Sequence, residues 1–318
     1  MSELEVYLGI DTSCSTTSVA FMDRQANLVG ESRQILKVHE GKCGLQQSEM
    51  VFQHTRNLPE MITNAMPRGA KIIGVCASGY PRPLPDSYMP AFLVGAGLAR
   101  SVSVLNNIPL WLISHQENHL LAGKWSAGGP DDERFLFLHA SGGTTDLLTA
   151  EKDGSGSYKL TEIGGSIDLH AGQFIDRIGV SLGLQFPAGP ALEKFAGAAA
   201  GPVELPVSVK GCKASLSGPA TAAERKLAAG ADPAGIALGV HKVLADTFDR
   251  LICNACREYN TKSVLIAGGV ASNTYIREYL HNKLTGRKIS LWHPQARFSC
   301  DNASGCAAFA VLKGEKSV

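Results

Sequence analysis

The sequence predicts an α/β protein with an internal duplication, and three observations lead there. A strand, a turn of small polar residues and a second strand occupy residues 7–22: Tyr7–Asp11, then Thr12-Ser13-Cys14-Ser15-Thr16-Thr17, then Ser18–Met22. The same pattern returns as Phe135–His139, Ala140-Ser141-Gly142-Gly143-Thr144-Thr145 and Asp146–Ala150. Between the two units apolar strands alternate with stretches of helical periodicity, the succession that favours mixed α/β layers.

In chain order, helical periodicity covers Gln47–Met66 and Met89–Leu105, and apolar strands cover Lys71–Ala77 and Pro109–Ser114. Ser126-Ala127-Gly128-Gly129-Pro130-Asp131-Asp132 is a loop by composition and marks a junction, with one lobe over 1–125 and a second over 133–299. The stretch Gly164–Ala231 is rich in Gly, Ala and Pro and shows no clear period. Beyond it, Ile236–Tyr259 reads as a helix ending at Asn260, and Ser263–Ala267 as a buried strand. Gly268-Gly269-Val270-Ala271-Ser272-Asn273 is a glycine turn that opens another helix. A strand at Lys288–Trp292 and a helix at Asn302–Lys313, stopped by Gly314, close the chain, and the segment 300–318 is expected to pack back on the first lobe.

At 318 residues there is chain enough for one large or two medium domains. Hydrophobic residues at 44% and charged residues at 19% point to an ordered globular protein. The acidic N-terminus lacks the basic and apolar regions of a secretion signal. The longest apolar run, Ala91–Ala99, falls short of the roughly 20 residues that span a bilayer, so no membrane role is expected. Eight scattered cysteines suit a reducing cytoplasm. With a net charge of +1, a nucleic-acid ligand needs a local cationic patch or a partner subunit.

Turns built of Ser, Thr and Gly let backbone N–H groups approach an anion, and phosphate is the natural ligand. One such turn is an ordinary hairpin connector; two, joined by a third glycine turn at a strand-to-helix junction, are harder to dismiss. In that third turn Gly268 and Gly269 precede a helix N-terminus suited to an anion or ribose, and Asn273 offers both a donor and an acceptor. His115-Gln116-Glu117-Asn118-His119 follows a strand, with Ser114 as helix N-cap, so the two histidines share a helix face one turn apart. They read either as metal ligands or as two surface histidines. Glu117 lies two residues after His115, roughly 200° round the helix, which disfavours metalloprotease chemistry. Cys253 and Cys256 have redox spacing but fall inside a helix, and read as core cysteines.

Seven motifs in order resemble those of the TsaD family, the tRNA N6-threonylcarbamoyladenosine transferases. They are Leu8-Gly9-Ile10-Asp11-Thr12-Ser13-Cys14; His115 and His119 followed by Leu120-Leu121-Ala122; Ser141-Gly142-Gly143; Phe174-Ile175-Asp176-Arg177; Phe186-Pro187-Ala188-Gly189-Pro190; Ala267-Gly268-Gly269-Val270-Ala271-Ser272-Asn273; and Cys300-Asp301-Asn302. Together they span nearly the whole chain. The resemblance implies a duplicated, two-lobed, actin-like and Hsp70-like ATPase (ribonuclease-H-like) fold with nucleotide in its cleft. It implies transfer of threonylcarbamoyl from threonylcarbamoyl-adenylate to adenosine 37 of tRNA, alongside protein partners. Carried over by position, His115, His119 and Asp301 are metal ligands for iron or zinc. Ala140, Ser141, Gly142, Gly143, Thr144, Asp176, Gly189, Gly268, Gly269 and Asn273 line the site of ATP or an acyl-adenylate with its magnesium, and Asp11 and Asp176 are catalytic. By position alone Asp301 also reads as an N-cap of the last helix.

The chain departs from that family where Ser15 and Thr16 replace two acids, Thr144 a histidine, Ser217-Gly218-Pro219-Ala220 a Ser-Gly-Leu-Lys segment, and Tyr80-Pro81-Arg82-Pro83-Leu84-Pro85 a Gly-Pro-Gly-Leu segment. A second expectation therefore stands beside the first: a paralogue that binds nucleotide and metal but works as a scaffold or on another acceptor.

Overall fold

The computed structural model describes residues 3–38, 44–154 and 157–315. The start of the acidic N-terminus (1–2) and the end of the returning segment (316–318) lie outside the described residues. The chain divides into two compact units, one of residues 1–128, 152–158 and 297–318, the other of 129–151 and 159–296. The division thus falls after Gly128, which ends a helix in the left-handed conformation at φ 70°.

The first unit is built on a five-stranded sheet in the order β3-β2-β1-β4-β5, from β1 (Leu4–Thr12), β2 (Thr16–Met22), β3 (Leu28–Ile35), β4 (Ala70–Tyr80) and β5 (Leu110–Ser114). β1 runs antiparallel to β2 and parallel to β4, which is parallel to β5. Alternation along β1 assigns its two faces. Val6, Leu8 and Ile10 join a core with Leu58 and Met61 of α1 (Gln47–Ala65) and Ala99 of α2 (Pro90–Asn106). Gly9 points the other way, where a Cβ would come within 2.3 Å of the Ala303 carbonyl oxygen, so only glycine lets the C-terminal helix (Ser304–Gly314) lie this close. That helix also packs on α3 (His115–Ala127).

The second unit carries a seven-stranded sheet in the order β12-β11-β6-β7-β8-β10-β9. Its strands are β6 (Arg134–Ala140), β7 (Thr145–Lys152), β8 (Tyr158–Ser166), β9 (Ser208–Lys210), β10 (Lys213–Ser215), β11 (Ser263–Ala267) and β12 (Ser290–Trp292). β6 pairs antiparallel with β7 and parallel with β11, which is parallel to β12. Strand for strand, β8-β7-β6-β11-β12 repeats β3-β2-β1-β4-β5. Leu136, Leu138, Val264 and Ile266 are buried with apolar residues of α4 (Ala171–Ser181), α5 (Gly189–Ala196), α6 (Ser217–Ala228), α7 (Pro233–Glu258) and α8 (Thr274–Thr285). α9 is a single turn, Ala296–Ser299. α7 starts earlier than its apolar period shows, because Asp232 accepts from the N–H groups of Ala234 and Gly235 and Pro233 takes the first helical position. Cys256 on α7 is buried but Cys253 is only half-buried, its Sγ 2.8 Å from Arg287 Nη1, which corrects the expectation of two core cysteines. No helix among the described residues is long and apolar enough to cross a membrane.

Candidate functional site

In the first unit Ser114, the last residue of β5, caps α3. Its Oγ accepts the Glu117 N–H at 3.1 Å, and Glu117 Oε2 in return accepts the Ser114 N–H at 2.7 Å. Glu117 is thereby committed to the helix start, while His115 and His119 lie edge to face with ring centroids 4.5 Å apart. Asp301 arrives from the far end of the chain. Its Oδ1 stands 3.1 Å from His119 Nε2 and 3.5 Å from His115 Nε2, and one ligand atom from each of the three residues lies within 4.8 Å of the others.

Asp301 does not cap the C-terminal helix. The N-cap of that helix is Ala303, without a side-chain cap bond, and Asn302 just before it accepts the Ser304 N–H at 2.9 Å through Oδ1, leaving the neighbouring carboxylate to face the histidines. Asn118 fixes the approach, donating to the Asn302 carbonyl at 2.6 Å and accepting the Cys306 N–H at 2.8 Å. On the other side of Asp301, Ser13 Oγ donates to Oδ2 at 2.8 Å and Ser15 Oγ donates to the same atom. Sequence reasoning singled out neither Ser13 nor Asn118, although each sits inside a motif it had named.

Asp11 is fully buried at the end of β1, with Oδ1 2.9 Å from His115 Nδ1 and Oδ2 buried without a hydrogen-bond partner. Burial disfavours a charge on His115, but the carboxylates of Asp11 and Asp301 outweigh it and hold the imidazole pKa well above its ordinary value. Asp301 is likewise opposed by burial, yet the two histidines hold its carboxyl well below the usual carboxylate range. Two imidazoles and one carboxylate, from His115, His119 and Asp301, form a donor set suited to a divalent cation. Asp11 lies behind His115, in the place of an outer carboxylate that fixes the orientation of the imidazole ring.

The two small-residue turns differ in what surrounds them. In the first, Thr12 Oγ1 donates to the Ala91 carbonyl at 3.0 Å, His54 lies 2.8 Å from both Thr17 Oγ1 and the Ser13 carbonyl, and Ser13 and Ser15 serve Asp301. In the second, Ser141 N–H donates to the Thr144 carbonyl at 2.8 Å, while Gly142 and Gly143 are exposed with nothing within 4 Å of where a Cβ would stand. α4 begins against this turn: a Cβ on Gly172 would lie 2.4 Å from Gly142 Cα, and Ala171 N–H donates to Thr145 Oγ1 at 2.7 Å.

Gly268 ends β11 at φ +109°, where a Cβ would fall 2.1 Å from the Ala140 carbonyl oxygen, so this glycine brings the third turn onto the second. Gly269 has ordinary right-handed angles, φ −59° and ψ −39°. Asn273 caps α8 through Oδ1, accepting the Ile276 N–H at 3.0 Å, and Glu193 of α5 accepts the Thr274 N–H at 2.8 Å. Asp176 Oδ1 accepts the Ala188 N–H at 2.7 Å beside Gly189, the first residue of α5, where the space around a Cβ is open. Burial raises the Asp176 pKa, with the Ala188 bond working against it. The Ser217-Gly218-Pro219-Ala220 segment opens α6, and its approach is taken up by Asp168, which accepts from Leu216 N–H at 2.8 Å and Ser215 Oγ at 2.6 Å. Burial works against that carboxylate, but these bonds hold its pKa well below the usual range.

Residues 88–308 match the family described as TsaD, tRNA N6-adenosine threonylcarbamoyltransferase. A relative of that name from Nitrosomonas eutropha is 29% identical over 316 residues, covering 96% of this chain and 91% of its own. Among solved structures, T. kodakarensis HypF matches with a TM-score of 0.62 at 15% identity, over 99% of this chain and 48% of that one. Component A of (R)-2-hydroxyglutaryl-CoA dehydratase from Acidaminococcus fermentans matches with a TM-score of 0.57 at 18% identity, over 98% of this chain and 99% of that one. These structural likenesses show the duplicated α/β fold of the actin-like ATPases.

Proposed function

The chain belongs to the TsaD family, and we propose on that footing that it transfers the threonylcarbamoyl group from threonylcarbamoyl-adenylate to N6 of adenosine 37 in tRNA. The observation that carries this is the family match over 88–308, a span that contains His115, His119 and Asp301. Those three would hold a divalent metal, iron or zinc, which supplies Lewis-acid polarisation of the carbamoyl carbonyl when bound. Asp11 keeps the His115 ring turned through Nδ1, and Ser13 and Ser15 engage Oδ2 of Asp301 so that Oδ1 faces both histidines.

In the second unit, the open backbone of Ser141–Thr144, with Gly268 against Ala140, would receive the adenylate phosphate with its magnesium. Asp176 would accept a ribose hydroxyl or an amine N–H, beside Gly189 and Asn273. Attack of the adenosine amine on the carbamoyl carbon forms the C–N bond, breaks the C–O bond to the adenylate phosphate and releases AMP and the amine proton. A tRNA substrate places the protein in the cytoplasm and in the company of threonylcarbamoylation partners.

Modified-nucleoside analysis of tRNA from a deletion strain tests the reaction. Loss of threonylcarbamoyladenosine is expected, with recovery by wild type and none by Asp301→Ala. One observation favours a second reading, a paralogue that acts as a scaffold or on another acceptor: Ser15, where the resemblance calls for an acid, gives its hydroxyl to Asp301. Full modification in the deletion strain would select that reading.

A further inference from the structure

The second unit carries a concentration of positive charge that the proposed chemistry leaves unused. Residues 250–293 hold seven Lys and Arg against two Asp and Glu, a net +5 in a chain whose total is +1, so the remainder is acidic on balance. Two cavities lie in this stretch. Arg250, Arg257, Lys262 and Arg287 line one of about 500 Å³ with Asp249, and Arg277, His281 and His293 line another of about 430 Å³ with Glu278. Arg287 is paired with Asp249, whereas Arg250, Arg257 and Lys262 are exposed and have no carboxylate partner within 4.0 Å among the described residues.

In the second cavity both ring nitrogens of His293 are buried without a hydrogen-bond partner. Burial, with Arg277 and His281 nearby, pushes its pKa down to about 3. A neutral ring N–H with no acceptor, in a cavity that Arg277 also lines, is matched by an anionic oxygen.

We infer that the basic surface formed by residues 250–293 of the second unit binds the phosphodiester backbone of RNA, its cavities receiving phosphate oxygens. Phosphate contact needs cations and hydrogen-bond donors and no apolar anchor. None of the exposed large hydrophobic residues of the chain falls within 250–293, which argues against a lipid surface or a protein partner, since both rely on apolar or aromatic anchors. The choice of RNA rests on the transferase reading. Nucleoside analysis tests that reading without these residues, so a failure here leaves it standing.

The test uses the full chain and a fluorescein-labelled tRNA transcript, with affinity read by anisotropy across a salt series. Arg250→Ala/Arg257→Ala/Lys262→Ala is expected to weaken binding at least ~10-fold and to flatten log Kd against log salt by about three, because each lost phosphate contact removes close to one counterion. Arg225→Ala/Lys226→Ala, which neutralises two exposed cations on α6, is expected to bind as wild type does. Lys262→Glu gives the same readout from a single exposed position should the triple variant melt early. Unchanged affinity in the patch variants, an equal loss in the α6 variant, or no tRNA binding by wild type overturns the inference. So does loss of binding to phosphatidylglycerol vesicles with tRNA affinity intact, which would assign the face to a membrane.

Discussion

Asp301 is held from two sides, by hydroxyls on Oδ2 and histidines on Oδ1, and its role depends on both. Purified His115→Ala and Asp301→Ala are expected to lose most bound metal by elemental analysis while keeping the wild-type circular dichroism spectrum, because both side chains are partly exposed. Unchanged metal in both variants would remove the site. The glycines give a sharper test of geometry. Gly268→Ala places a Cβ against the Ala140 carbonyl at a positive φ and should cost roughly 2–4 kcal/mol in urea unfolding, whereas Gly269→Ala at helical angles should cost under about 1 kcal/mol. From the motif Ala-Gly-Gly the two positions look alike. Only the backbone angles and the contact with Ala140 separate them.

α7 is the longest helix among the described residues, and it buries a histidine along with its apolar face. His241 is 1% exposed with Nε2 unpartnered, and burial pushes its pKa down to about 4, opposed in part by Glu193. The folded state therefore refuses a proton that the unfolded chain accepts near pH 6.5, so stability falls as pH drops from 6.5 towards 4. The loss from this group should reach roughly 3 kcal/mol, and His241→Gln should flatten the dependence of urea midpoints on pH across that window. An identical slope in the variant would assign the acid sensitivity elsewhere. Helices with long periodic faces, α1, α2 and α7, were legible in the sequence to within a few residues. β9, β10 and α4 to α6 were not. They lie in the stretch rich in Gly, Ala and Pro, where three-residue strands carry too few residues to show a period and α6 is anchored by the remote Asp168.

Across the whole molecule, the duplication makes a nucleotide the expected ligand of the second unit's open turn. ATP or a non-hydrolysable acyl-adenylate should raise the melting temperature, by a stabilisation of about 2.7 kcal/mol at a hundredfold excess over Kd. Gly268→Ala should weaken the shift and Cys253→Ser should leave it intact; a wild type that fails to respond, with or without metal, would favour the scaffold reading. The sequence by itself determined the α/β class, the repeated strand-turn-strand, the helix face shared by His115 and His119 and the family, because each is written in local period or in motif order. Tertiary structure alone decided that Asp301 faces the two histidines and does not cap the last helix, that Asp11 backs His115, and that the first turn's hydroxyls bond groups within the fold while the second turn stays open. The reason is sequence separation: Asp301 meets Ser13 across 288 positions and His119 across 182, and no local pattern encodes which of several suitable polar groups folding will bring together.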